Sequence, residues 1–166
     1  SEFNQQALSL VKANASAQVF KSVNDAGAQA FADMPFPTRK TESWKYTSLH
    51  ALTKQNFNQA VDVNNASHAS VDFAIDGLDA LELVFVNGQF QTVLSSKETL
   101  DGLQLVRFSE ASAEQLALIE KYLAKNAETE RNLFTALNNA QVNDGVFVLV
   151  SKNTQLTKPV KIVNIS

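Results

Sequence analysis

Residues 35–49 read PFPTRKTESWKYTSL, the stretch of the chain whose side chains could do chemistry at close quarters. Two prolines bracket a Phe, a basic pair follows, and the chain's only Trp stands two residues before one of its two Tyr residues. As a binding surface, Trp44 and Tyr46 would stack on bases while Arg39, Lys40 and Lys45 contact phosphates, the pattern of a single-strand nucleic-acid grip. As architecture, the same residues read differently. Pro35 and Pro37 hold the chain extended, and Thr38 or Thr41 caps a short helical turn containing Glu42. The aromatic pair then packs down, with the basic stems lying over it and their charges in water. The formal net charge is −3 and there is no second basic stripe, which favours the architectural reading. Under that reading Trp44→Ala costs about 3–5 kcal/mol if the ring is fully buried.

Other chemistry finds little support. The chain has no cysteine, so it can form no disulfide and offers no thiolate to a metal or a substrate. The five glycines are scattered singly rather than gathered into a phosphate loop. His50 and His68 stand apart from each other and show no metal-ligand spacing, so each reads as a surface or loop histidine. Glu110, Glu114 and Glu120 fall on or beside a predicted helix, where acids near the first turn complement its dipole. Asp76-Gly77, Asp101-Gly102 and Asp144-Gly145 read as turn chemistry. The sequons at Asn14 and Asn65 lie in Asn-rich stretches and read as chance. No catalytic, cofactor-binding or metal-ligating residue is assigned, and an enzyme is not expected.

Several elements must position the 35–49 cluster. Phe3, Ala7, Leu10 and Val11 predict a first amphipathic helix over residues 3–13, with a break at Asn14. Val19, Val23, Ala26 and Ala30, widened by Phe20, Gly27 and Phe31, predict a second helix that ends before Pro35. Gly27 inside it costs about 1 kcal/mol relative to Ala. Residues 53–70 are polar and read as a loop, with a strand predicted over Val71–Ile75. In LELVFVNGQFQTVL, Asn87-Gly88 is the dipeptide preferred by a type I′ turn, so Phe85 should face Phe90 and Leu81 should face Leu94. LQLVRF follows Gly102 as a third strand. Ser112 and Gln115 have capping-box spacing ahead of a helix carrying Leu116, Ile119 and Leu123. Asn126 is expected to cap a further helix with Leu133, Leu137 and Ala140 on its inner face and Phe134 beside them.

The pattern changes after residue 143. GVFVLV (145–150) is apolar on both sides, as in a strand buried on two faces. VKIVNIS then begins another strand at the end of the chain. The expected fold class is α+β: N-terminal helices, a small antiparallel β region with an Asn-Gly hairpin, two further helices, then the first strands of a β-helix. The expected domains are 1–143, an N-terminal α+β domain, and 144–166, the opening of a core that continues beyond this stretch. With 45% apolar and 19% charged residues, no long apolar run and no secretory signal, the expected location is the cytoplasm.

PTRKTESWKYTSL (37–49) resembles the Pro-Thr-Arg-Lys and Trp-Lys-Tyr-Thr signature near the start of the SufB/SufD family of iron–sulfur cluster assembly proteins. LVFVNGQF is similar to that family's Asn-Gly hairpin. NLFTALNNAQVNDGVFVLVSKNTQLTKPVKIVNIS is similar to its passage from helices into a right-handed parallel β-helix. The resemblance covers nearly all of the chain. It implies the N-terminal domain of a scaffold subunit of the SufBCD complex, of the SufD branch and non-catalytic by itself. It implies SufB and SufC as partners through regions mostly absent here, with an iron–sulfur cluster and a flavin held only at the level of the full complex. Pro37, Thr38, Arg39, Lys40, Trp44, Lys45, Tyr46 and Thr47 carry the signature, and their implied role is structural. The alternative is a small nucleic-acid-binding module built on Arg39, Lys40, Trp44, Lys45 and Tyr46.

Overall fold

The computed structural model describes residues 2–13, 19–57, 74–129 and 131–165. The chain is a mixed α+β protein that divides into two compact units, neither of them continuous in sequence. The first comprises residues 1–59 and 112–143, and the second residues 60–111 and 144–166.

The first unit is helical. Helix α1 (Glu2–Ala13) buries Phe3, Ala7 and Val11, the i, i+4, i+8 face of an amphipathic helix. Helix α2 (Lys21–Asp33) stops where Met34 turns extended ahead of Pro35. Helix α3 (Ala113–Tyr122) opens with a complete capping box. The Ser112 hydroxyl accepts from the Gln115 N–H, and the Gln115 side chain accepts from the Ser112 N–H. Helix α4 (Leu133–Gln141) is capped by Asn132, whose side chain accepts from the Phe134 and Thr135 N–H groups. The expected cap, Asn126, lies too far upstream, because residues 123–126 form a turn of their own and the helix starts only at Leu133.

The core face of α2 differs from the expected stripe. Phe20, Asn24, Gly27 and Phe31 are buried, whereas Val23 and Ala30 are half-buried and Ala26 is exposed. Val23, Ala26 and Ala30 instead line a groove of about 730 Å³ opposite Leu123 and Ala124. Packing against α4 decides the rotation. A Cβ on Gly27 would lie 2.5 Å from the Ala140 nitrogen and 2.8 Å from the Ala136 oxygen. The two helix backbones therefore touch at a point where only glycine fits. Helix C-termini leave orphan carbonyls, and α4 has no glycine or basic residue to satisfy them. Asn24 does so from α2, its Nδ2 donating to the carbonyls of Asn139 (3.0 Å), Ala140 (3.3 Å) and Val142 (2.9 Å). Gly27→Ala, a stabilising change in an ordinary helix, is expected here to cost about 1–3 kcal/mol as overpacking. Urea unfolding checks the sign, and a gain in stability would mean that the helices separate freely.

The second unit holds the strands. Strand β1 (Leu81–Val86) pairs antiparallel with the short β2 (Gln89–Phe90), with Phe85 opposite Phe90 and Val86 opposite Gln89. Between them Asn87 and Gly88 have φ of 49° and 80°. The chain then leaves the ladder, so Leu94 does not face Leu81. Residues 91–96 turn back, and serine hydroxyls replace backbone acceptors: Val84 N–H donates to Ser95 Oγ at 2.9 Å and Glu82 N–H to Ser96 Oγ at 2.8 Å. On its other edge β1 pairs in parallel with β5 (Val160–Ile165), from Leu81 opposite Val160 to Val86 opposite Ile165. The pairing is reinforced by Lys161, whose Nζ lies 2.6 Å from Glu82 Oε1.

LQLVR forms β3 (Leu103–Arg107), which pairs antiparallel with β4 (Val146–Val150) in a separate two-stranded sheet. β4 was expected to be buried on both faces, but Val148 and Val150 are about 40% exposed. Asp144-Gly145 is not a free turn. The Asp144 carboxylate accepts from the Phe90 N–H at 3.0 Å, and Gly145 lies under the Phe108 ring. The predicted strand Val71–Ile75 falls largely outside the described residues; Ala74 and Ile75 are not in a strand.

Lys158 donates to Glu98 (2.9 Å) and lies 3.0 Å from Asp79. These hydrogen bonds and charges hold its ammonium above the usual lysine range. A raised folded pKa contributes stability below the unfolded value, about 10.4, and loses it as pH rises through the folded value. The stability difference between the native protein and Lys158→Gln should therefore be constant at neutral pH and shrink only in strong alkali. Urea midpoints across that range test it.

Candidate functional site

The signature residues occupy one loop of the first unit, residues 36–57, clamped at both ends onto α1. The Phe36 ring meets Phe3 edge-on at 5.6 Å, and the Phe57 ring meets the same Phe3 at 5.7 Å. Gln6 reinforces the far end, its Oε1 accepting from the Phe57 N–H at 3.2 Å. Pro37 is buried beside Phe36 at the entry.

Between the clamps the backbone folds on itself. The Thr41 N–H donates to the Thr38 carbonyl at 2.9 Å, and the Thr38 N–H donates back to the Thr41 hydroxyl at 3.1 Å. The Lys40 N–H donates to the Thr38 hydroxyl at 3.2 Å. A 3-10 turn, Glu42–Trp44, follows. Neither threonine hydroxyl caps that turn as expected, because both are already engaged by N–H groups upstream of it. The Thr47 N–H closes the segment onto the Trp44 carbonyl at 3.0 Å.

The aromatic pair separates. Trp44 packs against Phe134 of α4 at 5.3 Å and is half-buried. Tyr46 does not pack down, since it is 90% exposed, with the Lys45 ammonium 5.4 Å from its ring centre. Two residues apart in a turn, the rings cannot share one buried face. Arg39, Lys40, Lys45, Thr38 and Thr47 are exposed, and none of the three cations forms an ion pair among the described residues. His50 is exposed beside Arg39 at the wall of a small cavity of about 230 Å³, with Phe36, Pro37 and Leu49 as its apolar lining. His68 lies outside the described residues. Among the described residues no cluster of three or more His, Asp or Glu side chains could hold a metal ion, and no helix is long and apolar enough to cross a membrane.

A family model described as the SufBD protein N-terminal region matches residues 2–162. The chain belongs to the SufB/SufD family. It is 30% identical over 139 residues to the iron–sulfur cluster assembly protein SufD of Bacillus subtilis, covering 79% of this chain and 31% of that one. An iron–sulfur cluster assembly SufBD family protein of Synechocystis sp. is 26% identical over 137 residues, covering 82% of this chain and 30% of its own. A chloroplastic SufBD family protein of Arabidopsis thaliana is 36% identical over 66 residues, 39% of this chain and 12% of its own. The chain thus spans under a third of the length of these relatives. For a SufB/SufD chain, the half-buried Trp44 sets an intermediate expectation. Trp44→Ala should cost about 2 kcal/mol, below the full-burial value, whereas Tyr46→Ala should change stability by no more than about 0.5 kcal/mol. Denaturant melts followed by circular dichroism compare the two, and equal losses would contradict the division of roles.

Proposed function

We propose that this chain is the N-terminal region of a SufD-type scaffold subunit and contributes to iron–sulfur cluster assembly by building a complex rather than by catalysis. The observation that carries the reading is the family match over residues 2–162, joined by the similarity to Bacillus subtilis SufD across most of the chain. In this reading the strands at 146–165 lead into a β-helix, and SufB and SufC are engaged mainly through parts of the protein beyond residue 166. The cluster and any flavin belong to the complex. With no cysteine, these residues offer no thiolate to a cluster. The protein works in the cytoplasm.

Capture from the native cell with an antibody against this region tests the proposal. Co-capture of SufB and SufC with a protein much larger than 18.1 kDa is the expected result. Recovery of a protein of that mass alone, without partners, would overturn it.

A further inference from the structure

We propose that the 36–57 loop is a docking site for an acidic protein segment that carries one apolar anchor residue. The charge distribution is the first reason. Arg39, Lys40, Lys45 and Lys54 stand against a single acid, Glu42, in a chain whose formal net charge is −3. All four cations are exposed, and none has an ion-pair partner among the described residues. Among the described residues, cations without an ion pair also occur singly elsewhere, at Lys12, Lys97, Lys121, Lys125 and Lys152, while Lys21, Arg107, Arg131, Lys158 and Lys161 are paired with carboxylates of their own units. What sets the loop apart is four cations against one acid within 22 residues, 36–57.

Shape is the second reason. The cavity of about 230 Å³ beside Arg39 and His50 is lined mainly by Phe36, Pro37 and Leu49. Pockets for free small molecules run to about 300–1,000 Å³, so this one suits a single side chain of a larger partner. Tyr46 stands 90% exposed on the same loop, amphipathic and stacked under the Lys45 cation, as aromatic anchors at interfaces do. The third reason is order. The Phe36 and Phe57 clamps, the Thr38–Thr41 bonds and the Trp44–Phe134 contact hold the loop in place before anything binds, which lowers the entropic cost of docking.

A nucleic acid would meet the same cations, but affinity for a polyanion grows with the number of phosphates neutralised, and the rest of this chain is acidic. A short acidic segment needs only the local patch. The inference rests on the assembly reading solely in taking the partner to be a protein.

The test titrates the full chain at low salt with three fluorescein-labelled probes: a short peptide of Asp and Glu around one central Leu, its Lys counterpart, and an oligothymidine. Saturable binding of the acidic peptide alone is expected. It should weaken about tenfold in an Arg39→Ala/Lys45→Ala variant, and by a similar factor when the peptide's Leu is replaced by Ala. Both substitutions are on exposed side chains, and an unchanged thermal melt confirms the fold. Absence of saturable binding, or binding indifferent to the variant, would overturn the proposal. Tighter binding of oligothymidine would replace it with a nucleic-acid site. Native co-capture of SufB and SufC does not depend on any of these outcomes, so the two readings fail separately.

Discussion

Asn24→Asp should destabilise the first unit by about 3–5 kcal/mol at neutral pH, although it changes the side chain by one amide group. Asn24 is fully buried and spends its Nδ2 on three carbonyls at the end of α4. An amide nitrogen has two hydrogens to share among them. A carboxylate has none, so the variant would face three carbonyl oxygens with a buried, uncompensated charge. The cost also has a pH signature. Burial raises the folded-state pKa of the introduced carboxyl above its unfolded value of about 3.9, so the variant regains stability relative to wild type as pH falls toward that value. Asn24→Leu removes the donors without adding charge and should cost less, about 1–3 kcal/mol. Guanidinium unfolding followed by Trp44 fluorescence is the measurement, since the chain's only Trp packs within the same unit. A loss under about 1 kcal/mol for Asn24→Asp would mean that water reaches these carbonyls.

Phe31→Ala should be comparably severe, about 3–5 kcal/mol, because a fully buried ring leaves a cavity that helices pinned elsewhere cannot close. Phe31 has no exposed surface, meets Phe3 edge-on at 6.5 Å, and shares its core with Ala7, Leu133 and Ala136. Phe3 in turn anchors both ends of the 36–57 loop through Phe36 and Phe57. Losing Phe31 should therefore loosen the loop as well as the helices. Hydrogen exchange at Thr41 and Thr47 would rise together with exchange in α2. A variant that loses stability while those loop amides stay protected would show that Phe3 holds the loop without Phe31 behind it.

Local chemistry made several elements legible in the amino-acid order. The Ser112/Gln115 spacing specified the start of α3, because both halves of a capping box lie within one turn. Pro35 ended α2, because proline excludes the helical region from the residue before it. The 37–49 signature led to the family, which the match over residues 2–162 shows. What depended on partners distant in sequence was not legible. Helix α2 offers two apolar stripes one residue apart. The stripe containing a polar Asn looks like the wrong one until α4 supplies carbonyls from more than a hundred residues away. Gly27 looked like a weakness in a helix, yet it is the contact point of two backbones. The Asn-Gly turn marked β1 as a strand and the VKIVNIS run marked β5, but only the tertiary structure paired them in parallel, since neither signal carries information about which edge meets which. In the 36–57 loop, composition fixed the inventory of rings and cations. The position of α4 decided that Trp44 has a ring to pack against and that Tyr46, among the described residues, does not, because two residues apart in a tight turn point in different directions.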